Sequence, residues 1–307
     1  MPVAFGQVVI GPPGSGKSTY CKAMKEYLCQ LKRDVVLVNL DPANDALPYE
    51  CDVNISELIT LDDVMQQYGL GPNGSLMYCM EFLEANVQWL IDQLGIIGSD
   101  RKTASYYLFD FPGQVELYTH ATCVRNVLHA LRNANYSLTN VCLTDSFYCS
   151  DPAKFIAVML NSLSSMIRLE TPHINVLSKA DLVEACGSLP FNLDYFTDVL
   201  NLKHLTDMLR DNDDKCDPFL KKFADLTESI CSVIENYSLV SYQLLDISKK
   251  QSMLQVLQAA DKANGHCFGF DENLRTGNML SAAVAGNSSC NDVGSWEAMY
   301  AETLNSS

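Results

Sequence analysis

The sequence predicts an α/β fold, a mainly parallel sheet flanked by helices on both faces and enlarged by helical insertions. Two observations predict it. Short apolar runs alternate with helical stretches along most of the chain, and the first run passes into its helix through a glycine-rich loop. A sheet of this kind opens its ligand crevice beyond the carboxyl ends of the strands.

The first strand is expected over Phe5–Ile10, ending at Gly11, with a helix over Lys17–Leu31. A second buried strand follows at Val35–Leu40. Residues 52–94 then form a largely helical insertion, clearest as one helix over Leu76–Leu94. The third strand is Tyr106–Asp110 and the fourth lies near Val141–Thr144, followed by a helix at Ala153–Leu169. A fifth strand at Ile174–Leu177 precedes a second helical insertion, 194–237, which contains a helix at Pro218–Tyr237. A sixth strand is expected over Tyr242–Ile247. One domain, residues 1–264, accounts for these elements, and the Gly-, Ser- and Asn-rich stretch 265–307 is expected to be a partly disordered tail.

The 307 residues, 48% hydrophobic and 19% charged, suffice for a sizeable core. A formal net charge of −16 and the lack of a basic stripe argue against direct nucleic-acid binding. The 12 cysteines include no CxxC pair and stand mostly in apolar stretches, as buried thiols in a reducing compartment do. The apolar start runs straight into the glycine-rich loop, and no uncharged apolar run is long enough to span a membrane. A cytoplasmic location, with shuttling to the nucleus as an option, is the expectation.

Gly11-Pro12-Pro13-Gly14-Ser15-Gly16-Lys17-Ser18 matches GxxxxGK[ST] between a strand and a helix, the context in which that pattern cradles phosphates. Backbone N–H groups and the helix N-terminus point at an anion, Lys17 adds a full charge, Ser18 offers a hydroxyl to Mg²⁺, and Thr19 reaches the α-phosphate. The loop alone leaves the base undecided.

Asp110 ends an apolar strand and is followed by Phe111-Pro112-Gly113-Gln114. A carboxylate there can hold Mg²⁺, the Gly113 peptide can donate to a γ-phosphate, and Gln114 can orient an attacking water, with Glu116 as a further contact. Asp41, in Leu40-Asp41-Pro42-Ala43-Asn44, faces the same crevice and is assigned to the magnesium or its nucleophilic water. In Ser178-Lys179-Ala180-Asp181, the Asp181 carboxylate can accept from guanine N1–H and the exocyclic amine while the Lys179 stem packs on the base. Adenine offers no such donor pair, so this favours GTP/GDP over ATP. Ser178 stands where asparagine is usual and reaches less far, so weaker bracing between loops is expected.

The chain resembles the GPN-loop GTPases. The namesake tripeptide is Gly71-Pro72-Asn73, between LDPAN and DFPGQVEL, and YCMEFLEAN, DPAKF, PHINVLSK, FNLDY and DKANG also look like that family, over about Phe5 to Phe268. The resemblance implies a P-loop NTPase of SIMIBI-like architecture and a homodimer, or a heterodimer with another GPN-loop GTPase, in which Asn73 acts in the partner's site. It further implies slow GTP hydrolysis without an arginine finger, through Asp41, Gln114 and Glu116, and work with RNA polymerase subunits or assembly factors in polymerase assembly and nuclear import. Two other readings stay open: a SIMIBI-type ATPase, against which Pro12 and SKxD argue, and an assembly chaperone that holds GTP without turnover. His173 is expected to be structural, His120 and His129 to lie on helix surfaces, and the acidic run Asp211–Asp217 to be a solvated loop.

Overall fold

The strands are mostly apolar on both faces because helices cover both faces. A computed structural model describes residues 3–44, 47–100, 105–183, 193–198, 202–211, 218–237 and 240–266. The strands are β1 (Ala4–Ile10), β2 (Val35–Asn39), β3 (Val53–Asn54), β4 (Tyr106–Asp110), β5 (Tyr136–Asp145), β6 (His173–Ser178) and β7 (Tyr242–Leu244). They form one seven-stranded sheet in the order β3-β2-β4-β1-β5-β6-β7, and every pairing among them is parallel. The helices are α1 (Lys17–Gln30), α2 (Leu61–Tyr68), α3 (Pro72–Ala85), α4 (Val87–Asp100), α5 (Glu116–Thr119), α6 (Cys123–Asn133), α7 (Pro152–Leu169), α8 (Ala180–Val183), α9 (Leu193–Asp198), α10 (Lys203–Asp211), α11 (Pro218–Tyr237) and α12 (Lys250–Asn264).

The two-residue period of a strand divides the core. Val8, Ile10, Val36, Val38 and Phe109 pack with Leu83 of α3, Leu90 of α4 and Val127 of α6. Their neighbours Val9, Val35, Leu37 and Leu108 face the other way, onto Tyr20 and Met24 of α1 and Val256 of α12. A third cluster joins Phe155 and Met159 of α7 to Leu177, Phe196, Leu205 and Tyr242. Cys21, Cys79, Cys123, Cys142, Cys149 and Cys231 are free and buried in these layers, as expected of small hydrophobes. No helix among the described residues is long and apolar enough to cross a membrane.

Several boundaries differ from expectation. β3 lies within the first insertion and is too short to show a period. The helix expected over Leu76–Leu94 is two helices, α3 and α4, broken at Asn86. Its side-chain amide donates to the Phe82 carbonyl at 2.8 Å, a local bond that competes with continuation of the helix. β5 begins five residues earlier than expected, with polar groups that the fold satisfies: Ser137 Oγ donates to Asn264 O at 2.7 Å, and Asn140 Nδ2 to Thr171 Oγ1 at 2.5 Å. β7 stops short of Ile247, where Asp246 Oδ1 accepts from the Ser248 N–H at 2.9 Å and closes a turn. The tail from 267 onward and residues 212–217 of the acidic run lie outside the described residues.

Candidate functional site

The sheet order brings the candidate residues together. β4, β1, β5 and β6 are consecutive neighbours, with β2 beside β4, so the loops at their carboxyl ends form one rim. The phosphate loop leaves β1 at its centre. Asp41 follows β2 and Asp110 ends β4 on one side, and Ser178 ends β6 and leads to Asp181 on the other.

Gly11 holds φ +142°, and a Cβ there would come 2.2 Å from the Leu143 carbonyl oxygen of β5, so the turn requires glycine. Gly16, also left-handed, caps α1, whose first turn carries Lys17, Ser18 and Thr19. Lys17 is buried, and its Nζ donates to the Pro12 carbonyl at 3.3 Å. Burial holds the Lys17 ammonium below the ordinary lysine range, an effect that Asp110 and Asp41 oppose. A Cβ on Gly113 would lie 2.8 Å from Lys17 Nζ and 3.0 Å from Pro13 N, so the turn after β4 rests directly on the phosphate loop. Gln114 is half-buried beside it, and Glu116 is exposed at the start of α5.

Asp110 is fully buried. Tyr49 OH donates to its Oδ2 at 2.7 Å, while Oδ1 is enclosed and has no hydrogen bond. Burial raises the Asp110 carboxyl above the ordinary range; hydrogen bonding from Tyr49 and Ser18 and the charge on Lys17 oppose this. Asp41 is raised for the same first reason, burial, against the Ala43 N–H, which donates to its Oδ1 at 2.9 Å. Asn44 Nδ2 donates to Ser18 Oγ at 3.1 Å, joining the loop after β2 to the phosphate loop. These oxygens are hard ligands of the type that magnesium takes.

Ser178 corrects the expectation of weak bracing. Its hydroxyl lies 2.7 Å from the Ser15 carbonyl and 3.1 Å from the Thr144 carbonyl, so the loop after β6 is fastened to the phosphate loop despite the shorter side chain. Close parallel strands supply the reach that asparagine would have given. Lys179 has a left-handed backbone, φ +59°, and Asp181 is exposed in the first turn of α8.

Gly71 is the N-cap of α3, and Pro72 and Asn73 form its first turn, so the tripeptide opens a helix instead of forming a free turn. Asn73 is exposed. The tripeptide is not joined to this chain's own phosphate loop by any hydrogen bond among the described residues.

Sequence reasoning missed Tyr49, Asp145 and Ser146. Asp145 and Ser146 stand at the carboxyl end of a strand, which is a usable signal. Tyr49 lies mid-loop and gives none.

The chain is 54% identical over 280 residues to GPN-loop GTPase 2 of Danio rerio, covering 91% of this chain and 87% of that one. It is a member of the GPN-loop GTPase family. GPN-loop GTPase QQT1 of Arabidopsis thaliana is 51% identical over 89% of both chains, and GPN-loop GTPase 2 of Saccharomyces cerevisiae is 41% identical over 87% of this chain and 76% of its own. The family described as "Conserved hypothetical ATP binding protein" matches residues 9–266. The same fold occurs in PAB0955, a GTPase solved in apo form from Pyrococcus abyssi, with a TM-score of 0.66, 22% identity and coverage of 84% of this chain and 97% of that one. The GPN-loop family thus has in this chain a P-loop at the centre of a parallel sheet, with its tripeptide at the head of α3.

Proposed function

We propose that this chain binds Mg-GTP and hydrolyses it slowly to GDP and phosphate. The observation that carries the reading is the convergence of three loops, with Gly113 against Lys17 and Ser178 against Ser15. Backbone N–H groups of the phosphate loop and Lys17 bind the phosphates, and Thr19 stands where the α-phosphate passes. The enclosed Asp110 Oδ1, with the Ser18 hydroxyl and Asp41, fits a magnesium ion; bound there, it would neutralise charge on the β- and γ-phosphates. Gln114 orients the water, Asp41 and Glu116 assist it, and the bond from the γ-phosphorus to the bridging oxygen breaks as the new P–O bond forms. Asp181 reads guanine.

The same reading makes the protein a dimeric switch, homodimeric or paired with another GPN-loop GTPase, with Asn73 completing the partner's site. Exposure of Asn73 at a helix start supports this. Polymerase assembly factors or subunits are its proposed clients, in the cytoplasm with passage to the nucleus. An ATPase reading is favoured only by the family description, and Asp181 opposes it.

The experiment is titration of GTP, GDP and ATP analogues with and without Mg²⁺, with the mass followed in each state. Tight Mg-dependent guanine binding with a nucleotide-linked dimer is expected. Preference for ATP, or a monomer throughout, would overturn the respective part.

A further inference from the structure

Two consecutive residues at the end of β5, Asp145 and Ser146, grip the same lysine of the loop after β6. Asp145 pairs in register with Ser178, so its side chain emerges one residue away from Lys179. Its Oδ2 lies 2.7 Å from Lys179 Nζ, and its Oδ1 accepts from the Phe147 N–H at 2.9 Å. Both carboxylate oxygens are therefore committed, and the backbone bond aims the one that faces the lysine. Ser146 Oγ donates to the Lys179 carbonyl at 3.0 Å, and the Leu182 N–H donates to that carbonyl at 3.0 Å.

An exposed ion pair alone would be worth little. This one differs in three respects. Its side chains are only 35% and 25% exposed. The lysine has φ +59°, a conformation that is unfavourable for a non-glycine residue and persists only where neighbours hold it. The strained residue also lies between Ser178, fastened to the phosphate loop, and Asp181.

We propose that Asp145 and Ser146 are positioning residues for base specificity: they fix the Lys179 stem as a preformed platform for the purine, beside the carboxylate that reads its edge. This rests on the GTP reading above. Long lysine side chains carry large rotamer entropy, and ordering one before the ligand arrives removes that cost from binding. An adenine nucleotide, held mainly by its phosphates, gains little from the platform.

The test uses the full chain. Asp145→Asn keeps an acceptor for the Phe147 N–H while removing the charge, and Ser146→Ala removes the second grip. Affinities for GDP and ADP are measured by titration against a fluorescent nucleotide, with the thermal midpoint as a control for folding. Expected for Asp145→Asn is a five- to tenfold loss of GDP affinity, on the order of one ordinary hydrogen bond because the pair is partly exposed, with ADP affinity unchanged. KM for GTP should rise more than kcat falls, and Asp145→Glu should recover part of the loss. Equal weakening of GDP and ADP, or unchanged GDP affinity in both variants, overturns the proposal. A wild-type protein that binds ADP as tightly as GDP overturns the guanine reading itself, and shows this before any variant is made.

Discussion

At the scale of single residues, Gln114 and Tyr49 have separable effects. Gln114 is half-buried next to a glycine that touches the phosphate-loop lysine. On its proposed role of orienting the water alone, replacing it with alanine should lower single-turnover GTP hydrolysis by about 10²-fold or more, with GDP affinity kept within about twofold. Unchanged turnover would remove it from the mechanism. Tyr49→Phe deletes one hydrogen bond to a buried carboxylate. It should destabilise the fold by about 1–3 kcal/mol in urea denaturation and weaken nucleotide binding in Mg²⁺ more than in EDTA. Gln114 was legible because it belongs to a contiguous motif. Tyr49 was not, since its partner Asp110 is 61 residues away and only the pairing of β2 with β4 brings them together.

Among the elements, β2 and β4 were legible as apolar runs, and β1 and β6 as runs broken only by Gln7 and Asn175, the pattern that burial on both faces imposes. β5 was half legible. Its first residues carry hydroxyls and an amide whose partners lie on α12 and before β6, and nothing local announces those partners. The division between α3 and α4 was invisible for a related reason, since one asparagine can cap, turn or stay helical according to context. β6 also begins on His173, whose two ring nitrogens are enclosed without well-formed hydrogen bonds. Burial lowers its pKa to about 4, an effect only partly opposed by Asn175. The unfolded chain thus takes up a proton near pH 6.5 that the folded chain refuses until about pH 4. Stability is lost as pH falls through that window, by on the order of 3 kcal/mol at most. Urea denaturation at stepped pH should show His173→Leu losing this part of the slope relative to the parent.

At the scale of the whole molecule, α12 is tied to the connection between α1 and β2, on the same face of the sheet, by an ion pair of Arg33 with the buried Asp261 at 2.8 Å. Asp261→Ala removes the buried carboxylate of this pair and should cost up to about 3 kcal/mol in chemical denaturation. A loss below 1 kcal/mol would mean that α12 is held by its apolar face alone. The proposed dimer is testable at the same scale: Asn73→Ala mixed with Lys17→Ala should regain GTPase activity in hybrid dimers, and no regain would place Asn73 outside the partner's site. Resemblance in the motifs gave the family and the rim residues. It could not have given the joints between the loops, which depend on strand neighbours far apart in sequence.

The bond from Ser178 to Ser15 spans 163 residues. During synthesis, the residues of the phosphate loop therefore emerge long before those of the loop after β6 that braces it. A nascent chain that has exposed only β1 and α1 still lacks β4 and β5, which flank β1, the Leu143 carbonyl on which the Gly11 turn packs, and the β6 that braces the loop. On the proposed reading, guanine selectivity therefore belongs only to a chain in which β6 has paired with β5, and a ribosome-bound chain halted before β6 emerges should show none.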